Sequence, residues 1–441
     1  MENVRRWMRA VLVSCLALTG CVRQEINNAQ EQEEPEVTLP SEDIHNQEEY
    51  VIMDNTVTLS WDELWDYVQI SRDMQKPMYA WYRRVFPLIL GEENTIVSPL
   101  NIWLAVSLLA EVTDGETRAE VLRALECENT EELQERYTAF WNANSRNYEG
   151  SQCLSANSLW AREGGDYNTE ILNLLEHRYH SALYTGVMGS PELDKKLQEW
   201  TDAHTHGLLG DYTREMKTDP ETFLEIVSAL YYKAMWETPF SKDRVTEEIF
   251  HGRTREKTCE MMHRSSSNTY YYGEHFTAVS EYLGDHSAMY FFLPEEGSTM
   301  QDILESEEFY ELLKDSNTYE KQKYLIVNES IPKYTIKNKL NLRKILTDLG
   351  ITDIWDKEKA DFTALTNLEG ICLDKADHVA YLRVEEEGVT SAAYTELGLV
   401  GAGMPPTEEV NFVLDRPFLF VLKAWDGSVL FAGTIANIPE D

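Results

Sequence analysis

Apolar residues are spaced unevenly along this chain, and the spacing changes character from segment to segment. Residues 100–110 (Leu-Asn-Ile-Trp-Leu-Ala-Val-Ser-Leu-Leu-Ala) are apolar with few breaks, which predicts a buried helix. Residues 193–204 and 340–349 carry apolar side chains at helical spacing. Residues 154–160 and 288–294 read as strands. Two further apolar runs, residues 413–424 and 429–435, flank Asp426-Gly427, and that dipeptide between apolar runs signals a hairpin. Residues 22–58 are the opposite: rich in Glu, Gln and Asn, with few large apolar side chains. Such a segment cannot bury enough surface to fold and is expected to be a solvated tether. No Gly/Ser-rich or Pro-rich linker interrupts the chain after Trp61, and no internal repeat is present. The pattern therefore predicts one large α+β domain, residues 61–441, with large antiparallel or mixed sheets.

Composition narrows the partners. The hydrophobic fraction of 43% is ample for a core, and the net charge is −38. A nucleic-acid or heparin partner would need a basic face, and none is suggested. The charge is read as solubility through self-repulsion. The N-terminus is more specific. Arg5, Arg6 and Arg9 precede a short apolar core, residues 10–18, and then Leu18-Thr19-Gly20-Cys21. A charged start, a short core and small residues describe an export signal over residues 1–20 rather than a spanning helix. The four residues at its end resemble the bacterial lipoprotein box, which implies lipidation of Cys21, a tether over residues 21–60 and a membrane-anchored, extracytoplasmic domain. Of the six cysteines, Cys15 lies in the leader. Cys127, Cys153, Cys259 and Cys372 are widely separated and form no C-x-x-C, so a metal site has no support. Buried free thiols are the plainer reading, although an exported protein could form disulfides.

Several motifs occur in one order. They are Asn94-Thr95-Ile96-Val97-Ser98-Pro99-Leu100, Asp114-Gly115-Glu116-Thr117, and Ala229-Leu230-Tyr231-Tyr232-Lys233-Ala234-Met235-Trp236 running on to Phe240. Ile331-Pro332-Lys333-Tyr334, Leu349-Gly350-Ile351 and Ala360-Asp361-Phe362 follow. Near the end come Val384-Glu385-Glu386-Glu387-Gly388-Val389-Thr390-Ser391-Ala392-Ala393, then Asp415-Arg416-Pro417-Phe418 and Gly427-Ser428-Val429-Leu430-Phe431-Ala432-Gly433. Together, from about Asn94 to Gly433, these resemble the serpins, a family of serine protease inhibitors. The resemblance implies three β-sheets surrounded by about eight or nine helices, with an exposed reactive loop. It further implies a suicide mechanism in which the loop is cut and inserts as a new strand in the central sheet, dragging the acylated protease with it.

The loop can be tested against that expectation. Side chains of a strand alternate between its faces. If Val389 faces inward, so do Ser391, Ala393, Thr395, Leu397 and Leu399, and none of these is charged. Thr390, Ala392, Tyr394 and Glu396 would face outward, and Glu396 is the charge among them. A strand destined for burial needs that parity, because a buried unpaired charge is costly. Val389, where the family usually has Thr or Ser, and Tyr394, which breaks a run of small residues, depart from the pattern. The family's scissile bond lies about fifteen residues beyond the hinge glycine, which points to Ala402-Gly403. An alanine there suits an elastase-like protease. Cleavage after Val400 or Leu399 would keep that preference, whereas a proline follows Met404.

The resemblance also implies a polar "shutter" beneath the sheet, formed by His378, Ser98, Asn101 and Ser228, the last two with amide and hydroxyl exchanged relative to the family. A histidine with unrelated partners is the alternative. Trp236 and Glu386 match the "breach" where insertion begins, with Lys233 in the same motif, and Trp236 could equally be a core aromatic. Enzyme readings fare poorly. Cys153 or Cys372 with His378 lacks a nucleophile context, no G-x-S-x-G occurs, and His204-Thr205-His206 lacks the H-E-x-x-H spacing. The sequence thus predicts a monomeric, lipid-anchored inhibitor of extracellular elastase-like or subtilisin-like serine proteases that uses no cofactor or metal. The rivals are a non-inhibitory binding protein of the same fold at the cell surface and an adhesive surface lipoprotein.

Overall fold

The computed structural model describes residues 59–148, 150–390 and 406–439. Cys21, Ser391, Ala392, Ala393, Ala402 and Gly403 lie outside these residues. The described helices are α1 (Trp61–Asp73), α2 (Gln75–Ile89), α3 (Pro99–Val112), α4 (Gly115–Ala124), α5 (Thr130–Asn144), α6 (Thr169–His177), α7 (Pro191–His204), α8 (Asp211–Arg214), α9 (Met300–Glu305), α10 (Glu307–Lys314) and α11 (Arg343–Asp348). They outnumber the eight or nine expected because several are only one or two turns long.

The seven-stranded sheet contains β2 (Arg146–Tyr148), β3 (Ser151–Arg162), β4 (Ala182–Gly186), β5 (Leu224–Met235), β11 (Tyr334–Asn341), β12 (Leu373–Glu385) and β13 (Gly388–Val389), in the order β11-β12-β13-β5-β3-β2 with β4 on β3. The nine-stranded sheet contains β1 (Thr95–Val97), β6 (Val245–His251), β7 (Glu256–Tyr272), β8 (Phe276–Tyr282), β9 (Ala288–Pro294), β10 (Gln322–Pro332), β14 (Glu409–Val413), β15 (Phe418–Lys423) and β16 (Val429–Ile435). Two hydrogen-bonded networks stand where three sheets were expected, because the 17-residue strand β7 serves two of them. It pairs with β6 and β10 along much of its length and with β8 at its far end.

Local sequence explains most elements. Ser98 caps α3 by accepting from the Asn101 N–H, Pro99 occupies its first turn, and all fourteen residues are buried, as the apolar run predicts. Asp426-Gly427 turns β15 into β16, with Gly427 at φ +97°. The Asp426 carboxylate accepts from Ser71, Asn144 and Ser428, which ties α1, α5 and the hairpin together. Two expectations needed correction. Leu340 and Asn341 finish strand β11, where Leu340 stands opposite His378, so the helix of that region begins only at Arg343. Strand pairing there overrides helical spacing. The run 413–424 is broken between β14 and β15 around Pro417, which has no N–H to give a ladder. The four described cysteines are free and buried.

Candidate functional site

Strands β5 and β12 run parallel and pair directly from Leu224 and Leu373 up to Leu230 and Ala380. Above that level they part, and the two residues of β13 occupy the opening. Gly388 stands between Glu385 and Met235, and Val389 between Val384 and Ala234, antiparallel to both neighbours. A Cβ on Gly388 would lie 2.3 Å from the Ala234 carbonyl oxygen, so glycine alone fits. Val389 is fully buried. Thr390 follows at φ +50° and donates its N–H to the Arg383 carbonyl at 2.7 Å.

A turn after β5 grips the residues that lead into β13. Trp236 donates its indole N–H to Glu385 O at 2.8 Å and its backbone N–H to Glu387 O at 3.1 Å. Phe240 N–H donates to Glu386 O at 2.9 Å. Three successive carbonyls are thereby held by one turn. Lys333 lies 3.2 Å from Glu386 and 3.1 Å from Glu260, and Lys242 lies 2.7 Å from Glu387. Burial pushes the Glu386 carboxyl up, but its own backbone N–H and the Lys333 ammonium outweigh that and hold it below its ordinary value.

Lower down, Ser98, Asn101, Ser228 and His378 meet in one buried cluster drawn from α3, its cap, β5 and β12. Ser98 N–H donates to His378 Nε2 at 3.0 Å. That nitrogen is therefore the acceptor, and the neutral ring carries its hydrogen on Nδ1, which donates to Ser228 Oγ at 3.3 Å. Asn101 Nδ2 donates to the same hydroxyl at 2.7 Å. Burial depresses the His378 pKa to about 3, so the ring is neutral over the physiological range. His378 and Ser228 are opposite each other where β5 and β12 still pair directly.

A family model for serpins, serine protease inhibitors, matches residues 85–438. The chain belongs to the serpin family. It is 28% identical to the human leukocyte elastase inhibitor, covering 78% of this chain and 93% of that protein. It is 26% identical to an uncharacterized serpin-like protein of Thermococcus kodakarensis, covering 99% of this chain and all of that one. Among solved structures it superposes on tengpin, a thermophilic serpin in the native state, with a TM-score of 0.71 at 22% identity, covering 87% and 96% of the two chains. Human thyroxine-binding globulin gives a TM-score of 0.72 at 21% identity, covering 86% and 100%. These two likenesses are of fold.

Within this serpin, the structure brings Ser98, Asn101, Ser228 and His378 together and places Trp236, Glu386, Gly388 and Val389 around one opening in the sheet. Lys233 is on β5 one residue below the Gly388–Val389 ladder. Sequence reasoning missed Lys333 and Phe240 as partners of Glu386, although both lie inside quoted motifs. Their roles depend on which carbonyl or carboxylate the fold brings opposite them, and nothing local encodes that. Helix α1 was also missed, although Ser60-x-x-Glu63 forms a capping box with both reciprocal hydrogen bonds.

Proposed function

We propose that this serpin is a suicide inhibitor of an elastase-like or subtilisin-like serine protease. The observation that carries the reading is β13: the first residues of the hinge already form a strand between β5 and β12. Continuing its register gives each later loop residue a slot. Ser391 would come opposite Tyr232, Ala393 between Leu230 and Ala380, Thr395 between Ser228 and His378, and Leu397 between Ile226 and Ala376. All of these acceptors are buried. Glu396 would fall beside Asp377, whose carboxylate has Lys339 at 2.7 Å and Lys375 at 3.1 Å. The inner slots hold no charged side chain, whereas Glu396 would come beside a carboxylate and would have to share Lys339 and Lys375 with Asp377 and Glu225.

In this reading the protease serine attacks the Ala402 carbonyl, the Ala402–Gly403 bond breaks, the Gly403 amine leaves, and an ester joins Ala402 to the protease. Insertion of residues 390 onward then competes with hydrolysis of that ester. The shutter must part for Thr395 to enter, exchanging the direct β5–β12 pairing for two new ladders. The name of the human relative, an inhibitor of leukocyte elastase, agrees with an alanine at the scissile position. The test is to mix the intact protein with pancreatic elastase and look for a denaturant-resistant covalent complex cleaved after Ala402. Cleavage without a complex would favour a non-inhibitory binding protein at the cell surface. We further propose that the protein is exported and lipid-anchored through Cys21. Cys21→Ala should abolish lipidation and membrane retention, and a mature chain whose first residue is not a modified Cys21 would refute this.

A further inference from the structure

A buried charged cluster lies beside the hinge without touching it. Arg264 of β7 donates through Nη2 to Glu281 of β8 and, at 2.9 Å, to Glu329 of β10. Asn268 Nδ2 donates to the same two carboxylates, at 2.8 and 3.0 Å. The side chains of Arg264, Glu281 and Glu329 are only 10%, 7% and 0% exposed. Two carboxylates thus share one guanidinium and one amide in a dry site. The other terminal nitrogen of Arg264, Nη1, donates to the Thr238 carbonyl, and the guanidinium carbon lies 4.3 Å from the centre of the Phe240 ring. Thr238 and Phe240 belong to the turn that grips the carbonyls of Glu385, Glu386 and Glu387.

We propose that Arg264 is a positioning residue for the hinge, acting through the turn at residues 236–240, and that the Glu281–Glu329 pair makes its grip depend on pH. The assignment rests on residues 385–390 being the hinge of the inhibitory loop. Two ionised carboxylates against one cation would leave a net buried charge, so the closed cluster keeps a proton. Burial first, and then the Glu329 carboxylate, raise the Glu281 carboxyl above its ordinary value against the pull of Arg264. The charged groups facing Glu281 are Arg264 from β7 and Glu329 from β10. Tyr282, next on its own strand, stays neutral because burial raises its phenol. His263, beside Arg264 in sequence, bonds instead to Glu248 and Ser330.

The sign follows from linkage. The closed cluster holds a proton that an opened, hydrated pair gives up near the ordinary carboxylate pKa of about 4.3. Opening is therefore rare at low pH and grows by about tenfold per pH unit above that value, until the closed pair itself ionises. Opening frees Arg264 from Thr238 and Phe240 and loosens the turn on its three carbonyls. Mild acid should lock the hinge, and alkali should release it.

Hydrogen exchange of the Trp236 and Phe240 amides in the intact protein tests this, measured from pH 5 to 8 and corrected for intrinsic exchange. The wild type should show opening that rises about tenfold per unit over part of that range. Glu281→Gln, which keeps the shape and cannot ionise, should be flat. Arg264→Lys, which keeps the charge and loses the planar fork, should open more at every pH. A purely packing role would shift the level of opening and leave its slope. A flat wild-type profile, a wild-type slope in Glu281→Gln, or unchanged opening in Arg264→Lys would each overturn the proposal. The elastase complex is scored separately in the same samples: its absence beside an intact slope would sink the inhibitor reading and leave the Arg264 assignment standing.

Discussion

If the proposed insertion mechanism holds, Ala393→Glu should make the protein a substrate rather than an inhibitor. In the continued register of β13, residue 393 enters between Leu230 and Ala380, which are 3% and 1% exposed. Both are apolar, and neither offers a side-chain donor to a carboxylate. Burying an unpaired charge in such a place costs about 3–5 kcal/mol. If half of that cost is felt at the barrier to insertion, and each ~1.4 kcal/mol is tenfold in rate, insertion slows roughly 10- to 60-fold. Hydrolysis of the ester then wins the competition, and more inhibitor is consumed for each protease molecule trapped. Ala392→Glu is the control. That residue enters between Tyr231 and Tyr381, both partly exposed, so its carboxylate keeps access to water. The assay is the stoichiometry of inhibition of pancreatic elastase, with the covalent complex followed on a denaturing gel. Cleavage of the wild-type loop should also raise the melting temperature sharply, because a central strand is added to the sheet. Equal loss of inhibition at residues 392 and 393, or no change in melting temperature on cleavage, would refute the register and the insertion that follows from it.

Other consequences are open to measurement. Gly388→Ala sets a Cβ against the Ala234 carbonyl and should expel β13 at a cost of about 1–3 kcal/mol, seen as changed Trp236 fluorescence and a more protease-sensitive hinge; an unchanged hinge would contradict the close approach. His378 stays neutral in the folded protein down to about pH 3, whereas the unfolded chain protonates it near ~6.5. Its stabilising contribution is therefore complete above ~6.5 and is lost as pH falls toward 3, amounting to a few kcal/mol by urea denaturation; His378→Asn should lack this part of the profile, and an identical profile would show that other groups carry it. Ala402→Arg should weaken inhibition of elastase and create inhibition of trypsin, and elastase cleavage of the wild type elsewhere would show the assigned bond to be wrong.

The chain carries its local instructions in plain form. An unbroken apolar run behind Ser98-Pro99 makes a buried capped helix, and Asp426-Gly427 between two apolar runs makes a hairpin. Such signals act over a few residues, where side-chain period and turn geometry decide the outcome. The family motifs were legible for the same reason, as short strings at fixed places. The tertiary structure decided what those strings do to one another. Leu340 and Asn341 have helical spacing yet become strand because β12 offers them a ladder. The Ser98–Asn101 cap, Ser228 and His378 lie far apart in sequence and become one hydrogen-bonded cluster only when α3 packs where β5 and β12 pair in parallel register. Arg264, Glu281 and Glu329 are unremarkable charges along three strands until β7 pairs with both neighbours and dries them together. Register between distant strands is set by burial summed over whole faces, and no local stretch of sequence contains that sum.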